Sequence, residues 1–125
     1  MKIASQIGGS HYESKSYQPI EFIVKNNLFF AEGNVVKYLT RWRSKNGLED
    51  LHKAKWYVSF LAENSSFVER ADISIDEFAK ANNLYLEAKA IELVINRKSF
   101  IDLEQAQAII DELATINKLS NQNVN

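Results

Sequence analysis

Apolar residues in this sequence recur at the three- and four-residue spacing of an α-helix, and no strand-like alternation persists. Val35, Leu39 and Trp42 form one such apolar stripe. The chain has 125 residues, 46% of them hydrophobic, and no cysteine. It therefore suits one domain with its own core, and it excludes disulfides and cysteine-based metal sites. The pattern predicts a small all-α protein.

Proline, glycine and polar capping residues divide this pattern into six predicted helices. Pro19 suits the first turn of a helix, where its missing N–H costs nothing. We expect Gly33 to break the chain and Asn34 to cap the next helix, which should end before Asn46-Gly47. The predicted helices span residues 19–27, 34–45, 48–63, 74–82, 84–98 and 103–119.

The two halves of the chain carry similar residues at a fixed separation. In the first part of each half, identical residues lie 56 positions apart: Glu21-Phe22 matches Glu77-Phe78, and Asn26-Asn27-Leu28 matches Asn82-Asn83-Leu84. In the later part the separation is 52 positions: Asp50-Leu51 matches Asp102-Leu103, and Ala54 matches Ala106. A constant register favours a degenerate duplication of a three-helix unit over chance identities between ordinary helices. We expect a lead-in at 1–18, a first unit at 19–65, a second unit at 66–119 and a polar tail at 120–125.

The second unit lacks the polar residues of the first. Gly33, Asn34, Lys37 and Tyr38 correspond to Lys89, Ala90, Leu93 and Val94, whereas Arg41 corresponds to Arg97. Charge follows the same division. Residues 1–60 carry nine Lys and Arg against five Asp and Glu, and residues 61–125 carry six against eleven. A basic first half suits an anionic ligand, although chance clustering on a solvated surface is the alternative.

One polar stripe on the second predicted helix is the main candidate site. It contains Asn34, Lys37, Tyr38, Arg41 and Lys45, at helical spacing. The three cations repel each other unless an anion lies across them. An arginine can hold phosphate oxygens with two hydrogen bonds, while the lysines act as point charges.

The third predicted helix adds Asp50, Lys53 and Tyr57 at helical spacing. Asp50 has two interpretations. It can pair with Arg41 across the turn, which we favour, or it can join Glu49 in holding Mg²⁺ together with substrate phosphates and water. We assign no residues to a metal site that would hold its ion without a bound substrate.

Other aromatic and histidine residues have weaker assignments. Ser10-His11-Tyr12 can close over a ligand, with a surface loop as the equal alternative. Trp42 and Trp56 are interpreted as core or interface residues, and His52 as a solvated helix residue. The sequence has no phosphate-binding loop, dinucleotide fingerprint, nucleophile elbow or zinc-protease helix. Any nucleotide chemistry would therefore use helix side chains.

An ordered set of motifs resembles a bacteriophage family described either as nucleotide kinases or as a domain of unknown function. The motifs lie between residues 10 and 60: Ser10-His11-Tyr12, Gln18-Pro19-Ile20-Glu21, Gly33-Asn34-Val35-Val36-Lys37-Tyr38-Leu39-Thr40-Arg41 and Lys45-Asn46-Gly47-Leu48-Glu49-Asp50-Leu51-His52-Lys53-Ala54-Lys55-Trp56-Tyr57. The kinase description implies phosphorylation of deoxynucleoside monophosphates, with ATP and Mg²⁺ as cofactors that the sequence itself does not fix.

In that reaction each site residue has an expected role. Lys37, Arg41 and Lys45 neutralise charge on the transferred phosphoryl group, and Asn34 and His11 orient phosphates. Asp50 or Glu49 positions a metal or the acceptor. Ser10, Tyr12, Tyr38, Lys53 and Tyr57 complete the expected ligand-binding set.

The same residues allow other functions. The first alternative is a non-catalytic sponge that sequesters a nucleotide signal, such as a cyclic nucleotide of host antiphage defence. A helical nucleotide pyrophosphatase would need several carboxylates, and only Glu32, Glu49 and Asp50 lie near the stripe. DNA binding through Lys37–Lys45 is disfavoured by the overall acidity.

The sequence also predicts a location and an assembly. No apolar stretch is long enough to span a membrane, and the first residues lack the apolar core of a signal peptide, so we expect a cytoplasmic protein without a membrane partner. One small domain does not easily bury all of the large aromatic side chains in this sequence, which include Trp42, Trp56, Phe60 and Phe29-Phe30. We therefore expect a homo-oligomer.

Overall fold

The protein is seen in a computed structural model that describes residues 17–64, 67 and 69–122. Six helices form this part of the chain, and no strand occurs in it. They are α1 (Pro19–Lys25), α2 (Phe30–Arg41), α3 (Leu48–Glu63), α4 (Asp76–Asn82), α5 (Leu86–Ile95) and α6 (Phe100–Gln122). The predicted all-α class is confirmed.

The second helix begins at Phe30, so the prediction of a break at Gly33 and a cap at Asn34 is wrong. The carboxylate of Glu32 accepts a hydrogen bond from the backbone N–H of Phe29 at 2.9 Å, which caps the earlier start. Gly33 lies inside α2 at a point where α1 passes close by. A Cβ at this position would lie 3.2 Å from Cγ2 of Ile23.

The same helix ends at Arg41, and residues 42–47 form a turn instead of the predicted last helical residues. Gly47 closes this turn by donating its N–H to the carbonyl of Trp42 at 2.9 Å. Its φ of 53° and ψ of −122° are accessible to glycine and strongly disfavoured for other residues. The predicted turn at Asn46-Gly47 and the predicted span of α3 are confirmed, whereas the helix before the turn ends at Arg41, four residues earlier than predicted.

Local geometry repeats between the two halves at the separation found in the sequence. The side-chain amides of Asn26 and Asn82 donate to the carbonyls of Phe22 and Phe78, at 2.9 and 3.0 Å. The residues that follow, Asn27 and Asn83, both have positive φ, 52° and 56°. The backbone N–H groups of Leu28 and Leu84 then donate to carbonyls five residues earlier. The junction of α1 with α2 thus has the same local geometry as the junction of α4 with α5. We call helices α1–α3 the first unit and helices α4–α6 the second unit.

The two units share one core. Helix α2 packs against α1, α3 and α5, while α6 packs against α3 and α5. The rings of Phe22 and Phe78 stack with 4.7 Å between their centroids. Trp42 is buried and donates its indole N–H to Glu87 of the second unit at 2.8 Å, so its predicted core position is confirmed.

None of the helices in the described ranges combines the length and the apolar character needed to cross a membrane.

Candidate functional site

Helices α2 and α3 bring the two predicted polar stripes together around one tyrosine. The Nζ atoms of Lys37 and Lys53 lie 5.1 and 5.4 Å from the centroid of the Tyr38 ring, and Cζ of Arg41 lies 5.0 Å from it. These distances are typical of cation–π contacts. We call these four residues the Tyr38 cluster. Three positive charges therefore converge on one partly buried ring.

Arg41 is held in place by Asp50, as the favoured interpretation predicted. Its Nε donates to Oδ2 of Asp50 at 3.2 Å, and its Nη2 donates to Oδ1 at 3.1 Å. The N–H of Asn46 donates to Oδ2 at 3.2 Å. Asp50 is completely buried. Through these hydrogen bonds it connects the end of α2 to the start of α3.

The electrostatic state of Asp50 follows from these contacts. Burial by itself would raise the pKa of this carboxyl. The hydrogen bonds from Arg41 and the Asn46 backbone, together with the charge of the guanidinium, outweigh burial and hold the pKa of Asp50 below its usual value. Asp50 is therefore ionised at neutral pH, and its role in the structure is to orient Arg41.

One predicted stripe residue lies elsewhere than expected. Lys45 is exposed on the turn after α2, so its predicted position on the helical stripe is wrong. Asn34 lies within α2, and its side-chain amide donates to the carbonyl of Phe30 at 2.9 Å. Lys37 is exposed beside it. Lys53 forms an ion pair with Glu49 at 3.3 Å on the surface of α3.

The predicted N-terminal part of the site, Ser10, His11 and Tyr12, lies outside the described residues. His52 is exposed on α3, as predicted.

An exposed aromatic series extends from the Tyr38 cluster along α3. Tyr57 lies nearly parallel to Tyr38, with 6.3 Å between centroids, and meets the Trp56 ring edge-on at 5.1 Å. Trp56 in turn stacks on Phe60 at 5.7 Å and an interplanar angle of 23°. We call Trp56, Tyr57 and Phe60 the α3 aromatic strip. Phe30 of α2 also contacts Tyr57, in an edge-on arrangement with 6.0 Å between the ring centroids.

Trp56 and Phe60 are the residues that sequence analysis did not assign to the site. Trp56 is 59% exposed and Phe60 is 44% exposed, so Trp56 does not belong to the core. The sequence carried a signal for this placement. Lys53, Trp56 and Phe60 follow each other at intervals of three and four residues, which places them on one face of a helix.

The acidic residues near this surface are engaged by cationic side chains. Glu32 accepts hydrogen bonds from Arg70 and, at 2.7 Å, from Arg97. Glu49 pairs with a lysine and Asp50 with an arginine. In the part of the chain that the structure describes, no group of three or more His, Asp or Glu side chains is arranged to hold a metal ion. All three carboxylates of the pyrophosphatase alternative thus already have protein partners.

Comparison with known proteins identifies one similarity. The chain is similar over residues 7–59 to a family described as proteins of unknown function, DUF3310. The matched segment ends within α3 and covers fewer than half of the 125 residues. It contains the whole Tyr38 cluster. No curated protein matches the chain, and no solved structure matches it.

Proposed function

We propose that this protein binds a phosphate-bearing nucleotide at the Tyr38 cluster. The observation that carries the proposal is the convergence of Lys37, Arg41 and Lys53 on the ring of Tyr38. Arg41 is balanced by Asp50, and Lys53 is partly balanced by Glu49. Lys37 forms no ion pair with any residue in the described ranges. A phosphate group placed across the two lysines would supply the missing negative charge.

We further propose that the bound nucleotide takes part in phosphoryl transfer, in keeping with the resemblance to phage nucleotide kinases. A terminal phosphoryl group would leave ATP and join a phosphate oxygen of a nucleoside monophosphate, giving ADP and a nucleoside diphosphate. Such reactions depend mainly on positioning and charge neutralisation. Lys37 and Lys53 supply the charge, and Asp50 acts as a positioning residue for Arg41.

Sequestration without turnover is the second candidate. It is favoured by the carboxylates of α3, because Asp50 is buried and fully engaged and Glu49 is paired with Lys53. A phage sponge would need only the cations and the aromatic rings to hold its ligand.

The two candidates are separated by one incubation. The purified chain is mixed with a panel of nucleoside monophosphates plus ATP, and separately with cyclic nucleotides, and the solution is chromatographed before and after heat denaturation. New nucleoside diphosphate supports a kinase. A nucleotide that disappears from solution and returns intact on heating supports a sponge.

Matched variants link either result to the proposed site. Lys37→Ala and Lys53→Ala should abolish most of the effect, whereas Lys118→Ala, an exposed lysine near the end of α6, should leave it unchanged. If Lys37→Ala and Lys53→Ala both keep the full product formation or capture of the unaltered chain, the assignment of the site is wrong.

We also propose that the protein acts as a homo-oligomer in the cytoplasm of a phage-infected cell. Several large apolar side chains outside the α3 aromatic strip are exposed, including Val24, Phe29 and Phe30. Such a surface is typical of an interface. Light scattering that gives the mass of one chain at micromolar concentration contradicts this proposal.

A further inference from the structure

The α3 aromatic strip begins where the Tyr38 cluster ends. Lys53 belongs to the cluster, and Trp56 and Phe60 follow it on the same face of α3, one and two helical turns further along. The two rings stack on each other, and both remain largely exposed. Two stacked aromatic rings, 59% and 44% exposed, thus adjoin a group of cations.

This order of groups matches the order of groups in a nucleotide. A nucleotide carries its phosphates at one end and its flat base at the other, joined by a sugar. If the phosphates lie against Lys37 and Lys53, the base can extend along α3 and reach the ring of Trp56. Base–aromatic stacking contributes substantially to nucleotide binding and tolerates any base, because every base has a π-face.

We propose that Trp56 and Phe60 form the base-binding platform of the site, and that the ligand is a purine nucleotide. The inference rests on the proposed function, because it needs phosphates at the Tyr38 cluster. The platform offers ring faces and the single N–H of the Trp56 indole. It therefore recognises the area of a base more than its hydrogen-bonding pattern, which favours purines over pyrimidines and separates adenine from guanine only weakly.

The residues at the equivalent positions of the second unit support this assignment. Lys53, Trp56 and Phe60 correspond, 52 residues later, to Gln105, Ala108 and Glu112. The cation and both rings are replaced together, as expected if they serve one ligand. Ala108 and Glu112 are exposed on α6, so that face also lies outside the core.

The test uses the full chain and three probes with the same phosphate number: ATP, UTP and inorganic tripolyphosphate. Calorimetry measures affinity, and tryptophan fluorescence reports on the base. Trp42 is buried and bonded to Glu87, so the exposed Trp56 is the indole that a ligand can reach. We expect ATP to bind more tightly than UTP and to quench fluorescence. Tripolyphosphate should bind most weakly and leave the fluorescence unchanged.

Variants then separate base binding from phosphate binding. Trp56→Leu and Phe60→Leu should weaken ATP binding about tenfold and leave tripolyphosphate binding unaltered. Tyr85→Leu is the matched control, because Tyr85 is 83% exposed and lies outside the strip. It should bind all three probes as the unaltered chain does.

Three results would overturn the platform. Equal affinity for ATP and tripolyphosphate, unaffected by Trp56→Leu, removes the platform but leaves phosphate binding at the cluster in place. No binding of any probe removes the proposed function itself. A Trp56→Leu chain that changes from oligomer to single chain while keeping its ATP affinity shows that a second copy of the chain covers these rings.

Discussion

At the scale of single residues, three carboxyl groups with almost no solvent exposure join the helices. Glu32, Asp50 and Glu87 are 0%, 0% and 1% exposed. Each is paired with arginine: Glu32 with Arg70 and Arg97, Asp50 with Arg41, and Glu87 with Arg43. A buried charge is tolerated when it is paired and hydrogen-bonded, and removing one partner leaves the other uncompensated. These contacts should therefore dominate the response of the fold to polar substitutions.

The pH dependence of stability should follow from two of them. Burial opposes ionisation of Asp50 and Glu87, but hydrogen bonds from arginine, from the Trp42 indole and from the backbone prevail, so both folded pKa values lie below the usual 3.8 and 4.5. The unfolded chain then binds more protons at acidic pH. We expect the free energy of unfolding to be fully retained above about pH 5 and to fall as the pH drops through the folded pKa values.

The variant Asp50→Asn isolates one of these contributions. It should lower the free energy of unfolding by about 2 kcal/mol at pH 7, because Arg41 loses a charged partner. Its stability should also fall less steeply between pH 5 and pH 3. Urea unfolding at both pH values measures this, with Glu69→Gln, an exposed carboxyl, as control. A slope equal to that of the unaltered chain would show that Asp50 does not contribute.

Glu32 should be the most sensitive of the three carboxylates. The variant Glu32→Gln leaves Arg97 buried without its negative partner and should cost about 3 kcal/mol in the free energy of unfolding. The double variant Glu32→Met with Arg97→Met removes the two most buried charges and leaves Arg70, which is 19% exposed, so it should be more stable than Glu32→Gln. Urea unfolding compares them. A double variant that is the least stable would show that the ion pair contributes beyond compensating its own burial.

At the scale of helices, the sequence misled where a tertiary contact decides the local structure. Glycine often breaks a helix, but Gly33 lies within α2, and a Cβ at this position would lie only 3.2 Å from the Ile23 side chain of α1. The cap at Glu32 depends on a carboxylate that also binds Arg97, 65 residues away. The approach of α1 to Gly33 and the contact of Glu32 with Arg97 cannot be read from local spacing, although the capping hydrogen bond itself joins residues only three apart. By contrast, the turn before α3 needs a backbone conformation that glycine adopts readily, which is a local property of Gly47. The start of α3 was therefore predicted correctly.

The contact between α1 and α2 gives a prediction in which one substitution depends on another. Gly33→Ala adds a better helix former but places its Cβ 3.2 Å from Ile23, so the free energy of unfolding should change little. In an Ile23→Ala background the space is open. There the same substitution should add about 1 kcal/mol, the helix propensity difference between alanine and glycine. A double-mutant cycle by urea unfolding tests this, and additive effects would contradict the steric explanation.

The candidate site was predictable to the extent that it lies on regular helices. Lys37, Tyr38, Arg41 and Lys53 were expected on two facing stripes, and the structure brings them together. The pair formed by Arg41 and Asp50, nine residues apart across a short turn, was also expected. Trp56 and Phe60 were not assigned to the site, because aromatic residues at helical spacing are typical of a core. Only the packing of α6 on the other face of α3 shows that they are exposed.

At the scale of the whole molecule, the two units share one core. The inner face of the first unit is completed by the second: Trp42 donates to Glu87, and Arg97 reaches Glu32. These partners are 45 and 65 residues apart. The repeat itself was visible in the sequence, because identical residues keep a fixed separation. The way in which the units pack was not visible, because it depends on contacts between residues that no short-range pattern relates.

This arrangement predicts that neither unit folds alone. A fragment of residues 1–64 would expose Val35, Leu39 and Val58, all fully buried in the chain, and would leave Glu32 without Arg70 and Arg97. We expect it to show little helix by circular dichroism and no cooperative unfolding in urea. Mixing it with a fragment of residues 65–125 should restore both signals, since the buried charges and the apolar faces then regain their partners.

Ligand binding extends the same test from the fold to the site. Every residue of the Tyr38 cluster lies in the first fragment, so a site that depended only on local helix structure would bind ATP there. The cluster is, however, positioned by α2 and α3, whose inner faces pack on α5 and α6. We therefore expect ATP binding, measured by calorimetry, to appear only when the fragments are combined. A first fragment that folds and binds ATP alone would mean that the second unit is dispensable for the site.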